Sequence, residues 1–461
     1  MHNEQVFTPN WMVNKMLDSV GYTKGNIRKK YVIDNSCGDG AFLCVVVERY
    51  IEECISQGVD NETISAELSE FIYGIEIDSE VIEEARKNLD MVSDKYGIEV
   101  DFWDLYNEDT LDVDRYEGMF DFVVGNPPYC KVHDLGKQYE KVKKYRYAQN
   151  GMTDLYLVFF EIGMNMLKED GKLVYITPSS WTSSLAGKAF RKDCIENGYI
   201  RELHDFKSAT IFENVTTFTM VSVLSKKRNR RDVRVYTYDD PKNEGEYYDV
   251  DINERCIDGK IYTCGVEPFN VLKKVYDSKG DRYVVKNGFA TLNDKFFLVD
   301  DDCPTENTID VIKASKCVIH RMFYPYDKEG KLLSYDELDS ETMDYMKLKA
   351  ERMGDDTEAD GWYRYGRTQA LCDVYKKKYT LNYLVKTVDD IKVGFAGEGV
   401  GVYSGFYIID KQGVITLETL EEELKTRRFL SYVKSLCKYK NGGFYTFNTK
   451  DLENYLNFFL L

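Results

Sequence analysis

No two of the eleven cysteines stand as C-x-x-C, and the chain has only four histidines. That scarcity argues against a zinc site, and scattered thiols form no disulfide framework. Cys37 and Cys130 read as small buried thiols. No apolar run flanked by positive charge opens the chain, and no stretch approaches a membrane span, which predicts a soluble, cytoplasmic protein. G-x-G-x-x-G is missing, as is a glycine loop followed by lysine, so neither the dinucleotide fingerprint nor a P-loop is present. There is no internal repeat and no carboxylate cluster suited to a metal. Positive charge is also short, with 61 Lys and Arg against 79 Asp and Glu, a net charge of −18. Taken alone, that balance speaks against a nucleic-acid partner. Binding needs only a local basic cleft, however. Clusters stand at Lys141, Lys143, Lys144 and Arg146, at Lys376 to Lys378, and at Arg427 and Arg428. Each also reads as a solvated helix face.

What is present is apolar and aromatic. The 461 residues suggest two or three domains, and 36 tyrosines with 24 phenylalanines supply many flat faces. The chain is organised around Val123-Val124-Gly125-Asn126-Pro127-Pro128-Tyr129. The apolar run from Phe120 to Val124 predicts a buried strand ending abruptly in glycine, asparagine and two prolines. Two prolines fix φ twice and remove two donors, so the turn is stiff. Asn126 Oδ1 and the Pro127 carbonyl could each accept one hydrogen of an NH2 group while Tyr129 stacks on its ring. That pattern suits an aromatic amine such as a nucleobase amino group; a proline-stiffened core turn is the plainer alternative.

The flanking segments repeat a strand, turn and helix rhythm. Thr8 can cap a helix with Pro9 at its first position, ahead of an apolar stripe of Met12, Val13, Met16, Leu17 and Val20. Tyr31 to Phe42 reads as a strand, a glycine turn (Asp34-Asn35-Ser36-Cys37-Gly38-Asp39-Gly40) and a helix start. Asp34 would repel a phosphate but could meet an ammonium, and a helix N-terminus favours a carboxylate. The amino-acid end of S-adenosylmethionine carries both. Phe71 to Asp78 is a second strand ending in acid, with Glu76 placed for ribose hydroxyls and Asp78 as a helix cap. Ile98 to Trp103 is a third strand closing on Asp104-Leu105, and either Asp104 or Asp101 could accept from the cofactor's adenine amine. Strands at Phe120, Gly171 to Pro178, Arg201 to Phe206 and Thr217 to Leu224 complete about seven, with helices between the first several. The class is α/β, a Rossmann-like doubly wound sheet. Lys131 to Gly151 reads as a long polar loop, and Ile211-Phe212-Glu213-Asn214 as a loop with an exposed aromatic.

A charged break at 226–234 and a polar linker at 239–246 put the domain boundary there, giving domains 1–240 and 247–461. The remainder lacks the βαβ rhythm and reads as α+β. Asn287 to Lys295, Trp362-Tyr363-Arg364-Tyr365-Gly366-Arg367 and Lys440 to Phe444 interleave cations, aromatics and turn residues, which suits contacts to phosphates and base edges.

In their order, F-T-P, D-N-S-C-G-D-G-A-F, G-I-E-I-D and G-N-P-P-Y resemble the gamma-class, TaqI-like DNA adenine methyltransferases of restriction–modification systems. G-W-Y-R-Y-G-R-T-Q-A-L and K-N-G-G-F look like that group's target-recognition domain. The resemblance implies a seven-stranded methyltransferase sheet and transfer of methyl from S-adenosylmethionine to adenine N6 of a flipped base in double-stranded DNA. By matching motif position, Phe7, Thr8, Asp34, Ser36, Cys37, Gly38, Glu76 and Ile77 would hold the methionine and ribose parts of the cofactor. Asp104 and Leu105 would hold its adenine. Asn126, Pro127, Pro128 and Tyr129 would bind the target base, with Phe212 on its other face. No metal is implied. A monomer is expected, and a restriction endonuclease, if any, as a separate chain. Methylation of a protein glutamine and a catalytically silent DNA-binding subunit are the alternatives.

Overall fold

The computed structural model describes residues 8–131, 134–136, 139–149, 153–207, 209, 211–212, 218–229, 232–238, 240–357 and 361–460. Phe7 lies outside them. Two compact units divide the chain, residues 1–263 and 264–461.

The first unit begins with helix α1 (Asn10–Val20), whose Met12, Val13, Met16, Leu17 and Val20 are all buried. Strand β1 (Val32–Asp34) leads through the glycine turn into α2 (Ala41–Ser56), and α3 (Asn61–Phe71) runs into β2 (Ile72–Glu76). Next come α4 (Ser79–Asp94), β3 (Asp104–Asn107) and β4 (Phe120–Gly125). The short α5 (Tyr139–Val142), then α6 (Leu155–Met166), β5 (Leu167–Pro178), α7 (Lys188–Asn197), β6 (Ile200–Asp205) and β7 (Thr219–Ser225) follow.

The sheet runs β3-β2-β1-β4-β5-β7-β6 and continues through β8 (Val233–Thr237) and β9 (Glu246–Val250). Strands β3 to β5 in that order are parallel, and β7 is antiparallel to both β5 and β6. The doubly wound reading therefore holds, with two strands more than the expected seven. Those two cross the expected boundary. β8 lies parallel to β6, buries Val233 and Val235, and stacks Tyr236 on His204 at 4.3 Å. A charged stretch hid this strand, because its alternate residues face the core and only the others meet water. The first unit thus runs to Thr263, past residue 240.

The third strand also differs. Strand β3 starts at Asp104, where a strand over Ile98 to Trp103 was expected to end. Ile98 and Trp103 are buried as loop anchors, while Phe102 is 61% exposed.

The second unit is α+β, with small sheets in place of one large one. Tyr283–Asn287, Phe406–Asp410, Lys378–Leu381 and Val393–Ala396 form a four-stranded antiparallel sheet. Val318–Phe323, Thr308–Lys313 and Gly401–Tyr403 form a second sheet, and Leu384–Val385, Phe444–Thr446 and Tyr439–Lys440 a third. Among the described residues no helix is long and apolar enough to cross a membrane. All eleven cysteines are free thiols.

Candidate active site

Parallel pairing sets Asp34 of β1 beside Gly74 of β2 and Val124 of β4. The turns that follow these strands therefore leave the sheet together at its carboxyl edge, where open α/β sheets bind ligands. Gly125 shows how tight the junction is. Its φ is +147°, and a Cβ there would lie 2.6 Å from Asp34 Oδ1. Only glycine lets the Asn-Pro-Pro-Tyr turn pass so close to that carboxylate.

Asp34 is buried and accepts from the Ser36 N–H at 3.0 Å. Burial pushes its carboxyl up to about 8, and the nearby Glu76 and Asp39 charges add to that rise against the Ser36 hydrogen bond. Glu76 holds the glycine turn, its Oε2 accepting from Gly38 N–H at 3.0 Å and its Oε1 from Asp78 N–H at 3.0 Å. Cys37 donates its N–H to the Ile75 carbonyl at 2.9 Å, and burial raises its thiol well above the usual range. The Ser36 hydroxyl oxygen is buried and has no hydrogen-bond partner among the described residues. Asp78 caps α4, and Ile77 is 56% exposed beside the turn.

Thr8 does not cap α1. Helix α1 starts after Pro9 without a side-chain cap, and the buried Thr8 hydroxyl instead accepts from Asn126 Nδ2 at 3.2 Å. Pro127 is buried, Pro128 exposed, and Tyr129 donates its hydroxyl to the Ile176 carbonyl at 3.0 Å, with its ring edge-on to Tyr156. The proline pair stiffens the corner, and Asn126 Oδ1 is buried within it.

Two expected site residues stand elsewhere. Asp104 pairs with Tyr73 at the amino end of β3, three residues before the Glu76–Asn107 pair at the carboxyl end. It accepts from Tyr106 Oη at 3.0 Å, and Leu105 is buried in the core. The alternative, Asp101, is exposed and precedes the strand altogether. Asp109, unlike Asp104, follows β3 at the carboxyl edge of the sheet. It caps the turn Thr110–Asp112, and Lys141 donates to its Oδ2 at 2.8 Å. Phe212 is only 2% exposed and belongs to the core with Phe206, Ile211 and Val221. It is a plug on the sheet, and the exposed aromatic expected there is not at this position.

Asn35 and Thr110 were missed. Asn35 Oδ1 accepts from Tyr175 Oη at 2.7 Å, and its carbonyl from Thr110 Oγ1 at 2.6 Å, so this buried amide ties the turns after β1 and β3 together. Its place in D-N-S-C-G could have flagged Asn35; nothing local flags Thr110. The basic clusters are partly spent internally. Lys141 binds Asp109 and Asp112, Lys143 binds Glu140, and Arg146 binds Asp193. Lys378 is buried, donates to the carbonyls of Asp373, Val374 and Lys376, and is pushed down to about 8 by burial. Arg428 pairs with Glu423.

Residues 58–212 match the family model described as the Eco57I restriction-modification methylase. The matched span takes in β2 to β6, the Asn126 turn included. Among curated relatives, a type II methyltransferase, M.BstVI of Geobacillus stearothermophilus, is 31% identical over 276 residues, covering 56% of this chain and 46% of that protein. RM.Eco57I of Escherichia coli, a type II restriction enzyme and methyltransferase, is 28% identical over 337 residues, covering 59% and 33%. The chain thus spans less than half the length of these two relatives. A solved structure of the type IIL restriction-modification enzyme MmeI with DNA superposes with a TM-score of 0.59 at 14% identity, covering 87% of this chain and 59% of that one. That likeness concerns the fold.

Proposed function

We propose that this protein is a site-specific DNA methyltransferase that uses S-adenosylmethionine to methylate adenine N6 of a flipped-out base in double-stranded DNA, as the modification enzyme of a restriction–modification system. The observation that carries the reading is the hydrogen-bonded joint of Thr8 with Asn126, packed at Gly125 against Asp34. It brings an amine-accepting corner and a cation-accepting turn to one sheet edge.

The turn fits the cofactor on its own chemistry. A buried carboxyl without a cation, a buried serine hydroxyl lacking a partner and a glycine turn braced by Glu76 suit a ligand bearing an ammonium, a carboxylate and ribose hydroxyls. Asp34, Ser36, Cys37, Gly38 and Glu76 would hold it, with Thr8 and Ile77 alongside and Asp109 towards its base. When bound, S-adenosylmethionine supplies an electrophilic methyl group on a sulfonium.

The chain supplies positioning. An amine conjugated to its ring is a poor nucleophile. Asn126 Oδ1 and the Pro127 carbonyl accept its two hydrogens, return electron density to nitrogen and turn its lone pair out of the ring plane. No strong base is needed, so orientation and electrostatic stabilisation provide most of the acceleration. Flipping the base costs a few kcal/mol. Stacking on Tyr129 offsets about 1–3 kcal/mol of it. The similarity to restriction–modification methylases, one of them solved with DNA, favours DNA over a protein glutamine as substrate. A restriction endonuclease is the partner such an enzyme implies.

The test is transfer of tritiated methyl to duplex DNA by the purified protein, followed by digestion to nucleosides. Label in N6-methyl-2′-deoxyadenosine is expected. Label confined to protein, or carried on cytosine, would overturn the reading.

A further inference from the structure

In the second unit Leu292 breaks two rules at once. It is 75% exposed, and no large apolar side chain among the described residues is more so. Its φ is +65°, in the left-handed region that glycine and asparagine adopt readily and leucine seldom does. Glycine at this position would avoid both the exposure and the strain.

The surrounding structure holds the residue out rigidly. Ala290 and Arg367 exchange backbone hydrogen bonds at 3.1 and 2.8 Å, and Gly366 N–H donates to the Thr291 carbonyl at 3.2 Å. Thr291 Oγ1 accepts from Asn293 N–H and donates to Asp294. Gly366 lies directly under the leucine, where a Cβ would collide with it. Beneath the turn Phe289 stacks on Tyr365 with centroids 5.0 Å apart, and Phe297 meets the same ring edge-on.

Lys295 follows Leu292 by three residues, and Arg364 and Arg367 flank Gly366 in the segment paired with this turn; all three are exposed and none is in an ion pair among the described residues. Of the acids beside the turn, Asp294 is engaged with Thr291 and Lys313, and Asp355 with Asn293. A rigid apolar point with exposed cations flanking it along the chain is complementary to an apolar base stack flanked by phosphates.

We propose that Leu292 is a wedge that enters the base stack of duplex DNA, with Lys295, Arg364 and Arg367 on the flanking phosphates. The proposal rests on the reading of this chain as a DNA methyltransferase. Apolar side chains inserted at a base step unstack it, and a turn already ordered loses little entropy in doing so.

The test compares the full-length protein with Leu292→Gly and Leu292→Asn, both suited to the backbone conformation. Three quantities are read: melting temperature, methyl transfer to sheared genomic duplex DNA, and reactivity of bases around the sequenced methylation sites to permanganate and diethylpyrocarbonate. The variants are expected to melt no lower than the parent, to lose tenfold or more in kcat/KM, and to lose the unstacked, hyperreactive bases seen with the parent. Arg364→Ala and Arg367→Ala should each flatten the salt dependence of DNA binding. Unchanged transfer and an unchanged reactivity pattern in both Leu292 variants would overturn the wedge while leaving the methyltransferase reading intact. A parent protein that transfers no methyl to DNA would overturn both.

Discussion

In the first unit each site-bearing turn follows its own strand within a few residues: Ser36 and Gly38 after β1, Glu76 at the end of β2, Asn126 directly after β4. In the second unit local hairpins are joined by pairings between strands far apart in sequence. Tyr283–Asn287 pairs with Phe406–Asp410, and Thr308–Lys313 with Gly401–Tyr403. The consequence is different wiring of polar groups. The first unit leaves the buried Asp34 at the sheet edge without an ion pair among the described residues. The second uses its buried acids to close long-range contacts, as Asp410 does with Arg282 at 2.9 Å.

Asn126→Ala should break the first side of that comparison most sharply. Methyl transfer in single turnover is expected to fall 10²–10³-fold, about 3–4 kcal/mol, as when one preorganised polar contact is removed elsewhere. A rate within threefold of the parent would show that the corner does not hold the amine.

The second side is broken at Asp373. This side chain is fully buried and accepts from Lys286 and Tyr407 on one oxygen and Lys376 on the other, at 2.6–2.8 Å. Burial opposes its ionisation, but these hydrogen bonds win and hold the carboxyl at about 2. Because the folded value lies below the unfolded one, the stabilisation is complete above about pH 4 and is lost as pH falls towards 2. Asp373→Ala should cost about 2–3 kcal/mol, less than a wholly buried pair because both lysines reach solvent. Calorimetry should show only the second unit melting earlier; an unshifted transition would refute the assignment.

A smaller effect sharpens the site itself. Asp109→Ala should weaken S-adenosylmethionine binding about tenfold, roughly 1.4 kcal/mol, whereas Asp104→Ala should leave it within twofold. Isothermal titration separates the two, and the reverse ranking would return the adenine contact to Asp104.

The last test concerns Asp34. Its folded value of about 8 lies above the unfolded one, so the folded state keeps a proton that the unfolded chain has released. Stability therefore falls as pH rises from about 4 to 8. Asp34→Asn should melt a few degrees higher than the parent at pH 8 and no higher at pH 4, while losing cofactor binding. Equal melting at both pH values would show that the buried carboxyl is not held protonated.

By itself the sequence determined the doubly wound class, the strands and turns carrying Asp34, Glu76 and Asn126, and the α+β character of the second unit. Those features are local: an apolar run, a glycine where backbone must turn, a proline pair where it must stiffen. Tertiary structure alone decided the rest. It extended the sheet through β8, whose start lies in a charged stretch that masked a strand. It moved β3 so that Asp109 replaced Asp104 at the carboxyl edge, buried Phe212, turned Thr8 from a helix cap into a partner of Asn126, and joined Asn35 to Thr110 and Tyr175. Each of those outcomes depends on register and on packing between residues tens of positions apart, which no window of sequence contains.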